Sequence, residues 1–142
     1  MQSESQPFVA ETTFHVRFAE TDAMGIVHHS TYLIYFEEGR SELSRQGGAP
    51  YSELEKGGYS LAVTGVEARY LAPARYDQRI TVRTWVDQIR SRSIAFAYEV
   101  IDAETRQTLV TGKTSHICVN HEGAARRIPK RWGETMKKLA AA

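Results

Sequence analysis

A single run of helical periodicity, flanked almost entirely by strand periodicity, sets what this chain can fold into. Tyr32, Phe36, Gly39 and Leu43 recur at three- and four-residue spacing, while Glu37, Glu38, Arg40 and Glu42 lie mostly on other faces, the pattern of an amphipathic helix. Ser30 or Thr31 is positioned to cap its first N–H groups, and Gly47-Gly48 followed by Pro50 stops it. The helix therefore has about 16 residues and a length of roughly 24 Å. A stripe of that length has to be covered, and the chain beyond it is mainly strand. Leu61 to Leu71, Arg79 to Ile89, Ser93 to Ile101 and Gln107 to Val119 all read as strands, with the alternation clearest in Ile94, Phe96, Tyr98 and Val100. Thr12 to Phe18 is the first strand, with Phe14, Val16 and Phe18 on one side and Thr13, His15 and Arg17 on the other. A short second helix runs from Pro50 to Lys56 and ends at Gly57-Gly58.

The breaks at Ala72-Pro73-Ala74, Arg90-Ser91-Arg92 and Asp102-Ala103-Glu104 are short, so the later strands are expected to pair as antiparallel neighbours in a meander. One strand, one long helix and four strands make an α+β fold in which a single helix covers one face of a five-stranded antiparallel sheet. The remaining face and edges invite a second copy, so a homo-oligomer, dimer or tetramer, is expected. At 142 residues, 42% hydrophobic and 25% charged, the chain suits one domain, 1–142, with a core over about 12–130 and a basic C-terminal tail.

Composition also removes function classes. The longest apolar run, Tyr32 to Phe36, is far too short for a membrane span, and the polar Met1 to Ala10 carries no export signal, so the expected location is the cytoplasm. The single cysteine, Cys118, rules out an internal disulfide and a multi-cysteine zinc site. The five histidines never take a His-x-x-His or His-x-x-x-His spacing, and no metal site is expected. A net charge of +1 exerts no general pull on nucleic acid. The tail is lopsided: Arg126, Arg127, Lys130, Arg131, Lys137 and Lys138 face only Glu122 and Glu134, which suits either a solvated terminal helix or a phosphate-bearing small ligand. No nucleic-acid reading motif accompanies that charge. There is no Gly-x-Ser-x-Gly elbow, phosphate loop or dinucleotide fingerprint either.

Chemistry and core packing meet between Phe18 and Arg40. The motif Asp22-x-x-Gly25-x-Val27-x-His29-x-x-Tyr32-x-x-Tyr35-Phe36-Glu37-x-Gly39-Arg40 is followed by Tyr70-Leu-Ala-Pro-Ala-Arg-Tyr-Asp77 and Arg90-Ser-Arg-Ser93. Together they resemble the 4-hydroxybenzoyl-CoA thioesterase family of hotdog-fold acyl-CoA thioesterases, and most of all its bacterial Tol-Pal-associated branch, over roughly residues 12 to 130. The resemblance implies a long central helix wrapped by the sheet, two subunits joined into a continuous sheet with active sites at their junction, and hydrolysis of an acyl-CoA to free CoA and a carboxylic acid. CoA is then part of the substrate and no separate cofactor is required.

The residues fit such a reaction on physical grounds. Asp22, on a loop that Gly25 allows to turn sharply, can attack the thioester carbonyl or take a proton from water. The N–H groups at the helix start, with His29 or its neighbours, can hold the developing oxyanion, and the helix dipole favours negative charge there. Tyr32 and Phe36, further along the helix, could line the acyl end, but with Tyr35 they form the stripe any buried helix shows, and of the three only Tyr32 is kept as a site residue. Arg90, Ser91 and Arg92 at a hairpin offer guanidinium forks and a hydroxyl suited to phosphates. Phe18 stands where relatives often carry tyrosine, and Glu20 where aspartate is common. Two other readings stay open: an acyl-thioester hydratase or dehydratase, and a non-catalytic acyl-CoA-binding subunit.

Overall fold

The computed structural model describes residues 6–141. In chain order it contains β1 (Ala10–His15), a 3-10 turn (Phe18–Glu20), α1 (Thr31–Gln46), α2 (Tyr51–Lys56), β2 (Ser60–Tyr70), β3 (Arg79–Ile89), β4 (Ser93–Asp102), β5 (Thr108–Val119) and α3 (Lys130–Ala141). The strands form one antiparallel sheet in the order β1-β3-β4-β5-β2, curled around α1, as expected of the hotdog fold. β3, β4 and β5 form the expected meander. β2 departs from it: instead of pairing with β3, its neighbour in sequence, it crosses to the far side and pairs with β5, leaving its other edge open. The break at Ala72-Pro73-Ala74 is thus a crossover and not a hairpin, which its length alone does not reveal.

The curl has local causes. Register shifts at Val63/Gly65, Val86/Gln88 and Val100/Ile101 each bend the sheet. Inside the bend, Tyr32, Tyr35, Phe36, Gly39 and Leu43 of α1 are buried against Ile80 and Val82 of β3 and Phe96, Tyr98 and Val100 of β4. Phe36 is fully buried and stacks on Tyr98, with ring centroids 4.3 Å apart. Burial of one such side chain stabilises by about 2 to 3 kcal/mol. Gly39 allows the close approach, because a Cβ there would meet Thr84 Oγ1 and Val82 Cγ1 on β3.

Three local expectations change. α1 spans the 16 residues anticipated, but neither Ser30 nor Thr31 caps it through its side chain. The Ser30 hydroxyl bonds His28 Nδ1 at 2.8 Å, and the Thr31 hydroxyl reaches back to the Glu20 carbonyl. β1 ends at His15, so Phe18 leaves the alternating face and is 75% exposed, resting edge-to-face on Tyr76. The cause is the reciprocal contact between Arg17 and Glu20, which turns the chain into the 3-10 segment. The basic tail becomes α3, whose Trp132, Gly133 and Met136 are buried in the same core while Lys130, Arg131, Lys137 and Lys138 stay exposed. The Phe8 N–H bonds the Leu139 carbonyl at 2.8 Å and ties the two ends of the described chain together. No helix among the described residues is long and apolar enough to cross a membrane.

The Gly39 contact gives a direct test of the packing. Gly39→Ala is expected to destabilise the fold by about 1 to 3 kcal/mol, the cost of overpacking a filled core. Urea denaturation monitored by circular dichroism measures it; a variant as stable as the parent contradicts the close α1–β3 contact.

Candidate active site

The loop between β1 and α1 is pinned at both ends. The Asp22 N–H donates to the Ile26 carbonyl at 2.8 Å and the Gly25 N–H returns to the Asp22 carbonyl at 3.0 Å, closing a tight turn in which Gly25 has φ +78°. The Val27 N–H bonds the Ala74 carbonyl and buries Val27 against the β2–β3 crossover. Glu20 holds the other end. Its carboxylate accepts from Arg17 N–H and guanidinium and from the Tyr35 hydroxyl at 2.8 Å, and its carbonyl accepts the His28 N–H. One acidic side chain thus links the loop to a buried residue of α1. Burial and the adjacent Glu20 carboxylate both push the Tyr35 phenol well above its ordinary pKa, so it stays a hydrogen donor.

This pinning brings Asp22, His29 and Tyr32 to one open cavity of about 400 Å³, flanked by Met24, Tyr70 and Pro73. Asp22 is half-buried. Its Oδ1 accepts the Met24 N–H at 2.8 Å, and no cation pairs with it among the described residues. That bond fixes the direction of the carboxylate and leaves Oδ2 free to act on a bound group. The His29 carbonyl accepts the Tyr70 hydroxyl at 3.1 Å, which fixes the His29–Ser30 peptide ahead of α1; the His29 N–H, in the peptide before it, has no protein acceptor among the described residues. The His29 ring lies against His28, with centroids 4.2 Å apart. The Tyr32 hydroxyl accepts the Ala74 N–H at 3.2 Å, and burial raises its pKa. The cavity thus holds one fixed carboxylate, an N–H and dipole at the start of a 16-residue helix, an imidazole, and apolar walls.

Phe36 takes no part in this cavity: it turns into the core against Tyr98, where its place in the helical stripe puts it. Gly25 shapes the loop without lining the cavity. Sequence reading missed Tyr70, whose hydroxyl lies 41 residues along the chain from its acceptor, and it underrated Glu20. A tyrosine at the end of β2, just ahead of the Pro-containing break, and a Glu three residues after Arg17 were the available signals.

Arg90 and Ser91 lie elsewhere, in a groove of about 350 Å³ shared with Arg127, Lys130 and Lys137. The Ile128 N–H bonds the Ser91 carbonyl at 2.8 Å and brings the tail to the β3–β4 hairpin, so the two phosphate candidates of the sequence are one basic patch. Arg92 follows on the same hairpin but does not line this groove; its carbonyl accepts the Cys118 N–H of β5. Within one chain this patch sits at the end of β3 opposite the Asp22 loop, a separation of roughly 33 Å along an 11-residue strand. Among the described residues no cluster of three or more His, Cys, Asp or Glu side chains is arranged to hold a metal ion.

Comparison with known proteins agrees with this architecture. The acyl-CoA thioesterase candidate YneP of Bacillus subtilis (strain 168) is 33% identical over 114 residues, which cover 80% of this chain and 82% of YneP. The DHNA-CoA thioesterase of Staphylococcus aureus superposes with a TM-score of 0.88 at 28% identity, over 93% of this chain and 91% of that one. A hypothetical protein from Thermus thermophilus, TT1821, superposes with a TM-score of 0.86 at 34% identity, over 93% and 98%. The model of the thioesterase-like superfamily matches residues 16–139, from the end of β1 through the Asp22 loop and the whole sheet to α3. A hotdog body that carries its polar loop at the start of the wrapped helix and matches the family along nearly its whole length makes this chain a member of the thioesterase-like superfamily.

Proposed function

We propose that this protein hydrolyses acyl-CoA thioesters to free CoA and a carboxylic acid, with Asp22 as nucleophile or general base. The observation that carries the reading is the shared cavity of Asp22 and the α1 N-terminus, in a member of the thioesterase-like superfamily. In the reaction, Asp22 Oδ2 attacks the thioester carbonyl carbon or draws a proton from a water that does so. Charge on the carbonyl oxygen is met by the His29 N–H and the helix dipole, and each such donor is typically worth about 3 to 4 kcal/mol of barrier. The C–S bond then breaks, and the His29 ring orients or protonates the departing sulfur; on the nucleophilic route a water then hydrolyses the acyl-Asp22 anhydride, which releases the acid and restores the carboxylate. Met24, Ile26 and Tyr70 give the acyl side an apolar wall, and a neighbouring subunit that covers the exposed Met24 and Tyr70 completes its shielding from water. No cofactor is needed, since CoA enters as part of the substrate.

Within the superfamily we assign the chain to the 4-hydroxybenzoyl-CoA thioesterase branch and its bacterial Tol-Pal-associated group, on the Asp22-to-Arg40 motif. The basic patch of Arg90, Ser91, Arg92 and Arg127 receives the CoA phosphates. Since that patch and Asp22 lie far apart in one chain, the working unit is a homodimer built on the open β2 edge, and dimers can pair further into tetramers. Val63, Val66 and Tyr70 on that edge strand are 52%, 45% and 51% exposed, as befits a strand awaiting a neighbour. Antiparallel pairing of β2 with β2 of a second copy brings the hairpin end of one subunit beside the Asp22 end of the other. The distance from one β2 to the partner's β4 is then three strand spacings, roughly 15 Å. A cytoplasmic setting, where acyl-CoA is found, completes the reading.

Asp22→Asn keeps the shape and the Met24 contact while removing the charge. Turnover on the best acyl-CoA is expected to fall at least about a hundredfold with the fold intact. Thiol release at the parent rate by a folded Asp22→Asn protein rejects the assignment; addition or loss of water without thiol release points to the hydratase alternative, and thioester binding without any turnover to a binding subunit.

Arg90→Ala with Arg92→Ala is expected to raise KM with little change in kcat, because phosphates keep their charge through thioester cleavage. An acyl-pantetheine lacking those phosphates should be nearly indifferent to the pair. Equal losses on the truncated and full thioesters place the phosphates elsewhere.

A further inference from the structure

A second cavity, of about 170 Å³, opens on the same flank of α1 as the Asp22 pocket but nearer the other end of the helix. Its wall is made by Arg40, Ser41 and Ser44 of α1, Tyr51 of α2, Phe96 of β4 and Trp132 of α3, with Glu37 at the rim. The polar groups around it are mainly donors. Trp132 is 4% exposed, and its indole N–H has no protein partner. The Tyr51 hydroxyl already accepts the Leu61 N–H at 2.9 Å, so its own proton is free to be given away. Arg40 is half-buried and pairs with no carboxylate among the described residues, Glu37 included. Behind Arg40 lies neutral ground. His116, 1% exposed, bonds the Thr114 hydroxyl at 2.8 Å, and burial with the nearby Arg40 charge pushes its pKa down to about 4. Tyr98 shares the Thr114 hydroxyl, and burial raises its pKa against the lowering pull of the Arg40 guanidinium beside it, so the partner Arg40 has on this side is a neutral hydroxyl. A half-buried guanidinium with no counter-ion, beside an unsatisfied indole N–H, is matched to a compact anion with two acceptor oxygens.

We infer that this cavity is a carboxylate-binding site, with Arg40 as the charge partner and Tyr51 and Trp132 as neutral donors. Two sources carry that chemistry to it. Arg40 lies eight residues along α1 from Tyr32, about 12 Å, and the flank between them offers Leu33 of α1 with Val63 and Val66 of β2, all partly open. A medium-length acyl group lying there with its thioester at Asp22 brings a carboxylate on its far end to Arg40. The released carboxylic acid, binding on its own, is the other source. Only the first rests on the thioesterase reading.

The test is titration of the full-length protein with sodium propionate, followed through the indole N–H resonances of its two tryptophans. Trp132 is expected to shift and saturate, while Trp85, on the opposite face of the sheet between inward-facing Thr84 and Val86, stays put. Propionamide, of the same shape without the charge, is expected to do neither. Arg40→Gln should weaken propionate binding about tenfold or more, as loss of a charge-assisted contact does. Glu37→Gln, an exposed change that removes the like charge at the rim, should tighten it. Opposite effects of these two variants are not what general loosening of the fold produces. An unmoved Trp132, equal response to propionamide, or an Arg40→Gln protein that titrates like the parent overturns the site.

Kinetics with sebacyl-CoA and decanoyl-CoA, which differ by a terminal carboxylate, then assign the source. If the ratio of their kcat/KM values falls in Arg40→Gln, the site reads the acyl tail; if the ratio holds while propionate binding is lost, it reads the free acid. Both results uphold the carboxylate site. Inactivity of the parent on every thioester removes the function proposed above and leaves the propionate titration to stand on its own.

Discussion

Everything in this molecule depends on the need to cover α1. A 16-residue helix with a wide apolar stripe cannot lie on a flat sheet of this size without leaving flanks open, so the sheet bends around it at three register shifts. The bend requires intimate contact, and Gly39 against Thr84 and Val82 supplies it. Once α1 is seated, its N-terminus has only one place to be, at the end of the sheet where β1 stops and β2 crosses over. Any loop that feeds the helix must emerge there. Core packing therefore fixes where the free N–H groups point before any substrate is considered.

The polar loop makes use of that position. Glu20 joins the 3-10 turn, the His28 backbone and the Tyr35 hydroxyl, so the loop moves with the helix and not independently of it. Asp22 is held by a backbone donor on one oxygen, and Tyr70 from the crossover strand fixes the His29 peptide. Precision of this kind matters because electrostatic stabilisation of a transition state depends on donors that need no rearrangement. The same argument makes Glu20 and Tyr70 positioning residues: they touch what holds the cavity, and not the cavity's reacting atoms.

Much of this was legible in the sequence, and the reasons differ by element. The stripe of Tyr32, Phe36, Gly39 and Leu43 fixed α1 to within a residue at each end, because helical period is a strong signal over four turns. β3 matched to the residue and β4 and β5 to within one, since strict alternation has one solution. The β2 crossover was not legible: strand pairing is a non-local choice, and a short Pro-containing break looks alike in a hairpin and a crossover. Phe18 was misread because the Arg17–Glu20 contact interrupts the alternation with a turn that periodicity does not record. Asp22, His29 and Tyr32 were recognisable together through the family motif, and they do share a cavity. Phe36 went to the core because Tyr98, far along the chain on β4, offers it a stacking partner. The basic tail could be read as charge and as a solvated helix, but not as one packed on the body, since its two faces separate only when Trp132 and Met136 find the core.

The geometry of the two halves of the proposed site leads to a single requirement. Asp22 and the Arg90 patch lie at opposite ends of an 11-residue strand, so one acyl-CoA can use both only if they come from different chains. Mixing an Asp22→Asn chain with an Arg90→Ala, Arg92→Ala chain tests this most directly. Two inactive or weakened parents should regenerate thiol release on exchange, because in each mixed dimer one junction carries an intact Asp22 and an intact basic patch. Activity that never exceeds the average of the two parents, in a mixture shown to have exchanged chains, contradicts the shared site and with it the claim that the open β2 edge completes the enzyme.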